Sequence, residues 1–425
     1  MPRLVRVLKN RNFSLLWTGH TLSHLGDNIF RVALVWLIVT ETNSAQATAL
    51  VFMAFFIPNI LVSLFAGATV DRFSRKGVIL ASDGVRALIT VLLAALVLLG
   101  KVELWSILCL YVFFGIAGAF FQPVYTVIIH ELVDRDLRAS ANSMNGIGRQ
   151  IGVILGPALG AVLVETVGTA TTFLIDTLCL TGSLLAIAMI RYRPKAGKEE
   201  AGNGSRSYLS EIREGLKHTF SVSWLWITMI VAALINAATT GSFNVALPFL
   251  VKETLGGGAG ILGTVMTFLG VGALLGGLFM GSIRFQRISR LGVTLYLLLF
   301  AMGVATLVIG AIPTVAVLIA MAFLLGFLME CFGVVWITLL QERVPSHLLG
   351  RVSSVDSLGS FSAIPVGLGV AGAAVAAFGP AWTFIAGGIV VAAMSLLGLL
   401  SRSIRNLKVE VPQDVAAGVT EVKSG

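Results

Sequence analysis

Four ionisable residues recur in one early apolar stretch: His20, His24, Asp27 and Arg31, at spacings of four, three and four. At 100° per residue they fall on one narrow helical face. An acid and a base one turn apart in such surroundings are expected to pair, Asp27 with Arg31. Such a pair either fixes packing alone or belongs to a substrate or proton path. The two histidines have no third ligand nearby, so no metal is expected. A second acid, Glu330, stands in the run Gly326-Phe327-Leu328-Met329-Glu330-Cys331-Phe332, and Asp176 stands alone in another. Asp83 and Arg86, at i and i+3, read either as a local pair near a helix end or as packing.

The elements that must position these groups are membrane spans. The chain has 425 residues, of which 56% are apolar and 12% charged, with a mean hydropathy of +0.93. Such values belong to a polytopic membrane protein, not to soluble domains. Apolar runs at about Phe13 to Thr40, Ala47 to Val70, Gly77 to Gly100 and Leu104 to Ile128 each suffice to cross ~30 Å of hydrocarbon at 1.5 Å per residue. Further spans are expected from Asn142 onward, at Ala170 to Ile190, and then at Val222 to Val251, Gly260 to Ile283, Leu291 to Ile312, Thr314 to Leu340, Val352 to Ala377 and Ala381 to Ser401. The total is twelve.

A net charge of +9 and a pI near 9.8 would suggest nucleic acid as a partner of a soluble protein. Here, of 30 Lys and Arg, Lys101 and Lys252 alone fall in outer links, and Arg31, Arg86 and Arg149 within spans. The rest lie in tails and loops that the positive-inside rule places in the cytoplasm, with both termini. Basicity therefore reports topology, and no nucleic acid is expected. The basic Met1 to Arg11 imitates the start of a signal peptide, but no small-residue cleavage site follows, so it is expected to be retained. Residues 191–221 form a cytoplasmic linker in which Leu209, Ile212, Leu216 and Phe220 recur at helical spacing, as in a helix lying on a membrane surface. Residues 1–190 and 222–402 then form two six-helix bundles, followed by a tail at 403–425. The two halves echo one another at an offset near 211, Leu132 to Leu137 matching Arg343 to Leu348.

Cys109, Cys179 and Cys331 are single, with no Cys-x-x-Cys, and read as small apolar residues. There is no nucleophile beside a base, no phosphate-cradling loop and no sizeable soluble domain. The chain is therefore not expected to be an enzyme or to carry a cofactor.

The link Gly67-x-x-x-Asp71-Arg72-x-x-Arg75-Lys76 between the second and third spans resembles the signature loop of the major facilitator superfamily of secondary transporters, with Ser74 where glycine is usual. The resemblance implies a cytoplasmic latch between the two halves at Asp71, Arg72, Arg75 and Lys76. The corresponding Gly277 and Gly281 in the second half are followed by Arg284, Arg287 and Arg290 without the acid, so the lock should depend on Asp71. Gly152, Gly156, Pro157 and Gly160 resemble the fifth-span motif of the antiporter branches, with Ala161 in place of a final glycine; the stripe suits close helix packing, mechanism or both. Leu8 to Phe13, Leu25-Gly26-Asp27 and Gln341 to Val352 resemble the bacterial macrolide and multidrug exporters, relatives of the enterobactin exporters.

That resemblance implies an all-α fold of twelve helices in two pseudo-symmetric bundles, with spans one, four, seven and ten around a central cavity. It places Glu330 across from Asp27 as a proton-coupling pair, with Arg31 tuning Asp27. Asn236, Phe243 and Asn244, Phe120, Phe121 and Gln122, and Phe327 and Trp336 would line the wall. The implied activity is export of amphiphilic small molecules by proton antiport from a bacterial inner membrane, by a monomer. The alternative is export of a native metabolite such as a siderophore or a lipid-like molecule.

Overall fold

The computed structural model describes residues 6–70, 74–191, 208–283 and 290–407, with side chains at all of these except 64–70, 122, 123, 126, 130 and 208–212. Asp71 and Arg72 lie outside the described residues, as do the side chains of Gln122, Leu209 and Ile212, and of Gly67 only the backbone is described. Every long element is a helix, as expected of a backbone that must satisfy its polar groups internally in hydrocarbon.

In chain order these are α1 (Arg11–Thr42), α2 (Ala45–Val70), α3 (Arg75–Leu98), α4 (Leu104–Leu132), α5 (Arg138–Ala188) and the linker helix α6 (Tyr208–Ser221). They continue with α7 (Ser223–Thr254), α8 (Ala259–Ser282), α9 (Leu291–Ala311), α10 (Val315–Arg343), α11 (Ser346–Phe361), α12 (Ile364–Phe378) and α13 (Pro380–Leu400). Among the described residues, eleven helical segments are long and apolar enough to cross a membrane, α11 and α12 together making one. The expected fifth and sixth spans both fall in α5, whose 51 residues turn at Gly168, where φ is 82° and ψ 167°. An L side chain rarely adopts that conformation, and glycine adopts it cheaply.

The expected span at Val352 to Ala377 is broken. Pro365 lacks the N–H that would bond the preceding turn, and the chain passes from α11 to α12 across Ser362 and Ala363. The repeat is visible in the backbone. Helices α4 and α10 each span 29 residues, with both ends 211 residues apart. Gly379, 211 residues after Gly168, repeats its backbone angles at φ 83° and ψ 168°.

Within the first half α1 packs along α5, α2 on α4, and α3 on α4 and α5; within the second α8 packs on α10 and α9 on α13. Between the halves, α5 meets α8 and α2 meets α12. Alternate helices run from a near end, where α1 begins, to a far end, where α1 finishes. The halves are fastened together at the far end. Lys252 donates to the Val39 carbonyl at 2.9 Å and to Asn43 Oδ1 at 2.8 Å, and Glu165 accepts from the Gly260 N–H at 2.6 Å. Each charge sits on a helix end of the sign that attracts it: the ammonium on the carbonyl end of α1, the carboxylate on the amide end of α8. Toward the near end, grooves open between α2 and α11, and between α5 and α8.

Candidate functional site

The glycines of α5 decide how α1 is held. A side chain on Gly152 would lie 2.8 Å from the backbone carbon of His24, and one on Gly160 would lie 2.8 Å from the Ile29 carbonyl oxygen; on Gly156 it would run into Asn28 Cβ. The stripe therefore brings α5 against α1 at backbone distance. Pro157 and Ala161, on the same helix, take Gly263 of α8 at similarly close range. Helix α5 thus connects α1 to the second half.

Held in this way, α1 turns Asp27 toward α3. Arg86 donates to Asp27 Oδ1 at 2.7 Å and Oδ2 at 2.5 Å, and to Ser23 Oγ at 2.8 Å. It also pairs with Asp83, whose second oxygen accepts from Ser183 at 2.6 Å. The guanidinium lies 4.7 Å from the Phe121 ring centre, a cation–π distance. One buried arginine therefore ties α1, α3 and the second arm of α5 into a single network. Beside it, His20 and His24 approach to 3.0 Å between their Nε2 atoms, and His20 stacks on Phe121. Among the described residues no three ligands converge on a metal site. Asp176 is buried against Gly26 with neither oxygen hydrogen-bonded among the described residues.

This corrects the expected pairing. Arg31 reaches Asn244 Oδ1 of α7 at 3.3 Å, and Asp27 belongs to Arg86. A separation of 59 positions between Asp27 and Arg86 hid the pair, although both are charged and within spans.

Arg31 opens instead on a central cavity of about 240 Å³ at the meeting of α1, α5, α7, α8 and α10. Among the described residues Arg31 is its only charged lining residue. Asn28, Thr240 and Asn244 supply further polar groups, and Phe243, Met266 and Met329 are among the apolar ones. Phe243 and Asn244 lie in a π-helical turn, Ser242–Ala246, which aims both side chains differently from a regular α-helix. Asn28, adjoining Asp27, was not expected at the site, since helical spacing puts it off the face shared by His20, His24, Asp27 and Arg31.

Other expected wall residues lie elsewhere. Asn236 donates to the Ser360 carbonyl at 2.9 Å, holding α7 to α11 just before the break. Phe121 lies under Arg86, Phe327 packs on Phe279, and Trp336 donates to Asp356 at 2.9 Å. Glu330 does not face Asp27 across this cavity; it lines the groove between α5 and α8. Of the latch residues, Arg75 pairs with Glu131 at the end of α4, and Lys76 donates to the carbonyls of Ala188 and Ile190 at 2.7 and 2.8 Å.

Comparison with known proteins accords with this architecture. A family profile described as "Transmembrane secretion effector" matches residues 5–290, and the profile of the Major Facilitator Superfamily matches residues 229–422. The multidrug efflux pump Tap of Mycolicibacterium fortuitum is 29% identical over 372 residues, covering 85% of this chain and 88% of the relative. Macrolide efflux protein A of Streptococcus pyogenes is 21% identical over 358 residues, covering 84% and 87%. In fold, the chain is similar to the inward-facing, occupied structure of a bacterial homologue of the human lysosomal transporter Spinster (TM-score 0.67, 17% identity, covering 93% of this chain and 96% of that one). It is also similar to the nucleoside transporter NupG (TM-score 0.70, 14% identity, covering 92% and 99%). With the first profile matching more than half of its length and the second its remaining spans, this multi-pass membrane chain belongs to the major facilitator superfamily, in the transmembrane secretion effector family.

Proposed function

We propose that the chain is a secondary transporter that exports amphiphilic small molecules, such as drugs and macrolide-like compounds, by proton antiport with alternating access. The observation that carries the reading is adjacency: Asp27, in the Arg86 network, is the neighbour of Asn28, which lines the central cavity. The names of the efflux relatives support the substrate class.

A proton arriving on Asp27 removes the charge that holds Arg86 to α1; Arg86 stays with Asp83, and its tie to α1 is reduced to the neutral Ser23 hydroxyl. Helix α1 is then held less tightly against α3, and its movement would carry Asn28 and Arg31 with it, so occupancy of the cavity and of the carboxylate are linked. The membrane potential supplies ~2.3 kcal/mol per inward charge per 100 mV. The moving bodies are the bundles 1–190 and 222–402, with twelve crossings when the arms of α5 are counted separately. The near end, with its basic links, faces the cytoplasm of a bacterial inner membrane, and the unit is a monomer. Gly67, Asp71, Arg72, Arg75 and Lys76 act there as the latch.

The test is dye and macrolide accumulation in a pump-deficient bacterial host expressing the chain or its Asp27→Asn form, with and without a protonophore. Low accumulation that rises with both treatments is expected. Proton-driven efflux that survives Asp27→Asn removes Asp27 from the coupling. Accumulation equal to the empty host for every compound, with membrane expression confirmed, overturns drug export.

A further inference from the structure

The two grooves toward the near end differ in charge. The groove between α2 and α11–α12, about 490 Å³, is lined by residues such as Phe56, Asn59, Ser63 and Ser354, and none of its lining residues is charged. The groove between α5, α8 and α10, about 530 Å³, has one charged lining residue, Glu330. Its walls are largely aliphatic, with Ile147, Leu155, Leu274 and Leu278 all strongly exposed.

Glu330 sits near the middle of α10. Its carboxylate is exposed to the groove and has no hydrogen-bond or ion-pair partner among the described residues. Across from it α8 presents Gly277, where a side chain would sit in ordinary contact with Glu330, 3.4 Å from Cγ. A carboxylate at this depth in a membrane is costly and normally finds a counter-charge. Among the described residues none is in place here.

The groove is also separate from the central cavity. Met329 lines the cavity and Glu330, the next residue, lines the groove. Between them α5 closes on α8: Gln150 donates to the Gly270 carbonyl at 2.8 Å and Thr267 to the Ile154 carbonyl at 3.1 Å. The two sites carry opposite charges, since the cavity's one charged lining residue is Arg31, which repels a cation.

We infer that the α5/α8/α10 groove is a binding site for lipophilic organic cations, held by the Glu330 carboxylate against an aliphatic wall, apart from the site at Arg31. Its volume is in the range of drug-sized pockets. A delocalised cation with apolar substituents fits this chemistry: it satisfies the unpaired acid and covers Leu274 and Leu278. As a loading site for export it rests on the transport reading; as a binding site it does not.

The experiment is equilibrium binding of radiolabelled tetraphenylphosphonium, and of the neutral triphenylphosphine oxide, to the purified full chain in detergent. Wild type is compared with Glu330→Gln, Glu330→Asp and Arg31→Gln. Glu330→Gln is expected to weaken tetraphenylphosphonium binding about tenfold or more, and to leave the neutral ligand within about twofold, as loss of one charged partner requires. Glu330→Asp should retain most of the affinity for the cation, and Arg31→Gln should not weaken it. Unchanged cation binding in Glu330→Gln overturns the site. So does an equal loss for cation and neutral ligand, which reports altered packing. Glu330-dependent binding by a chain that exports nothing keeps the site and sinks the export reading. Drug export by a chain that does not bind the cation through Glu330 does the reverse.

Discussion

Arg86 is the residue on which the interior of the first half depends. It pairs with both Asp27 and Asp83 and stacks on Phe121 in one buried position. Removing one partner of such a cluster leaves uncompensated charge, so Arg86→Gln should cost about 3 to 5 kcal/mol, read as a lower unfolding temperature of the purified chain in detergent. Arg31, whose hydrogen bond to Asn244 is 3.3 Å long, makes the contrast. Arg31→Gln should change stability by no more than about 1 kcal/mol and yet alter which compounds leave the cell. If the two variants destabilise equally, the assignment of Arg86 to the structural network and Arg31 to the cavity fails. Both arginines are visible in the sequence as charges inside spans. Which of them holds Asp27 was not, because helical spacing favours the neighbour one turn away and says nothing of a residue 59 positions off.

Helix α5 packs against both halves. Its glycine face lies on α1 and its Pro157–Ala161 segment on α8, so one helix carries contacts from the Asp27 region into the second half. Gly152→Ala places a methyl group 2.8 Å from His24 backbone and should cost about 1 to 3 kcal/mol through overpacking. Gly146→Ala, two turns earlier with nothing within 4 Å, should be neutral or stabilising by up to about 1 kcal/mol, since alanine is the better helix former. Thermal unfolding of the two variants in one detergent checks the difference, and equal behaviour would mean that α1 and α5 are not packed as described. The stripe was legible in the sequence as glycines four apart. The helix it faces was not, because a periodicity marks a face and leaves its neighbour unnamed.

For the whole molecule, the far end is closed by two charged caps, Lys252 on α1 and Glu165 on α8, while the near end is grooved. At this water-exposed end each cap has a net worth of about 1 kcal/mol, so losing both should shift the balance toward opening at the far end by about thirtyfold. Spin labels at Glu41→Cys and Glu253→Cys, in a chain whose three native cysteines are replaced, measure it. The Lys252→Met/Glu165→Gln form should show a longer-distance population that the parent lacks. An unchanged distribution would assign the closure to apolar packing alone, such as Gly372 against Ala45 and Ala49.

The sequence by itself determined the class of the molecule, the places of its spans, the internal repeat and the small set of charges inside the membrane. These are local quantities: a run of apolar residues either reaches across the hydrocarbon or does not, and a buried charge is conspicuous wherever it stands. Two expected spans merge in α5, giving eleven long apolar segments among the described residues where twelve were expected, and one expected span is broken at Pro365. Only the tertiary structure decided the partners: Asp27 with Arg86, Arg31 with the central cavity, Asn236 with α11, and Glu330 with a groove of its own. The physical reason is rotational. Two charges on different helices meet only when both helices turn the right faces toward each other, and that angle is set by packing, here by glycines that let α5 draw α1 against it.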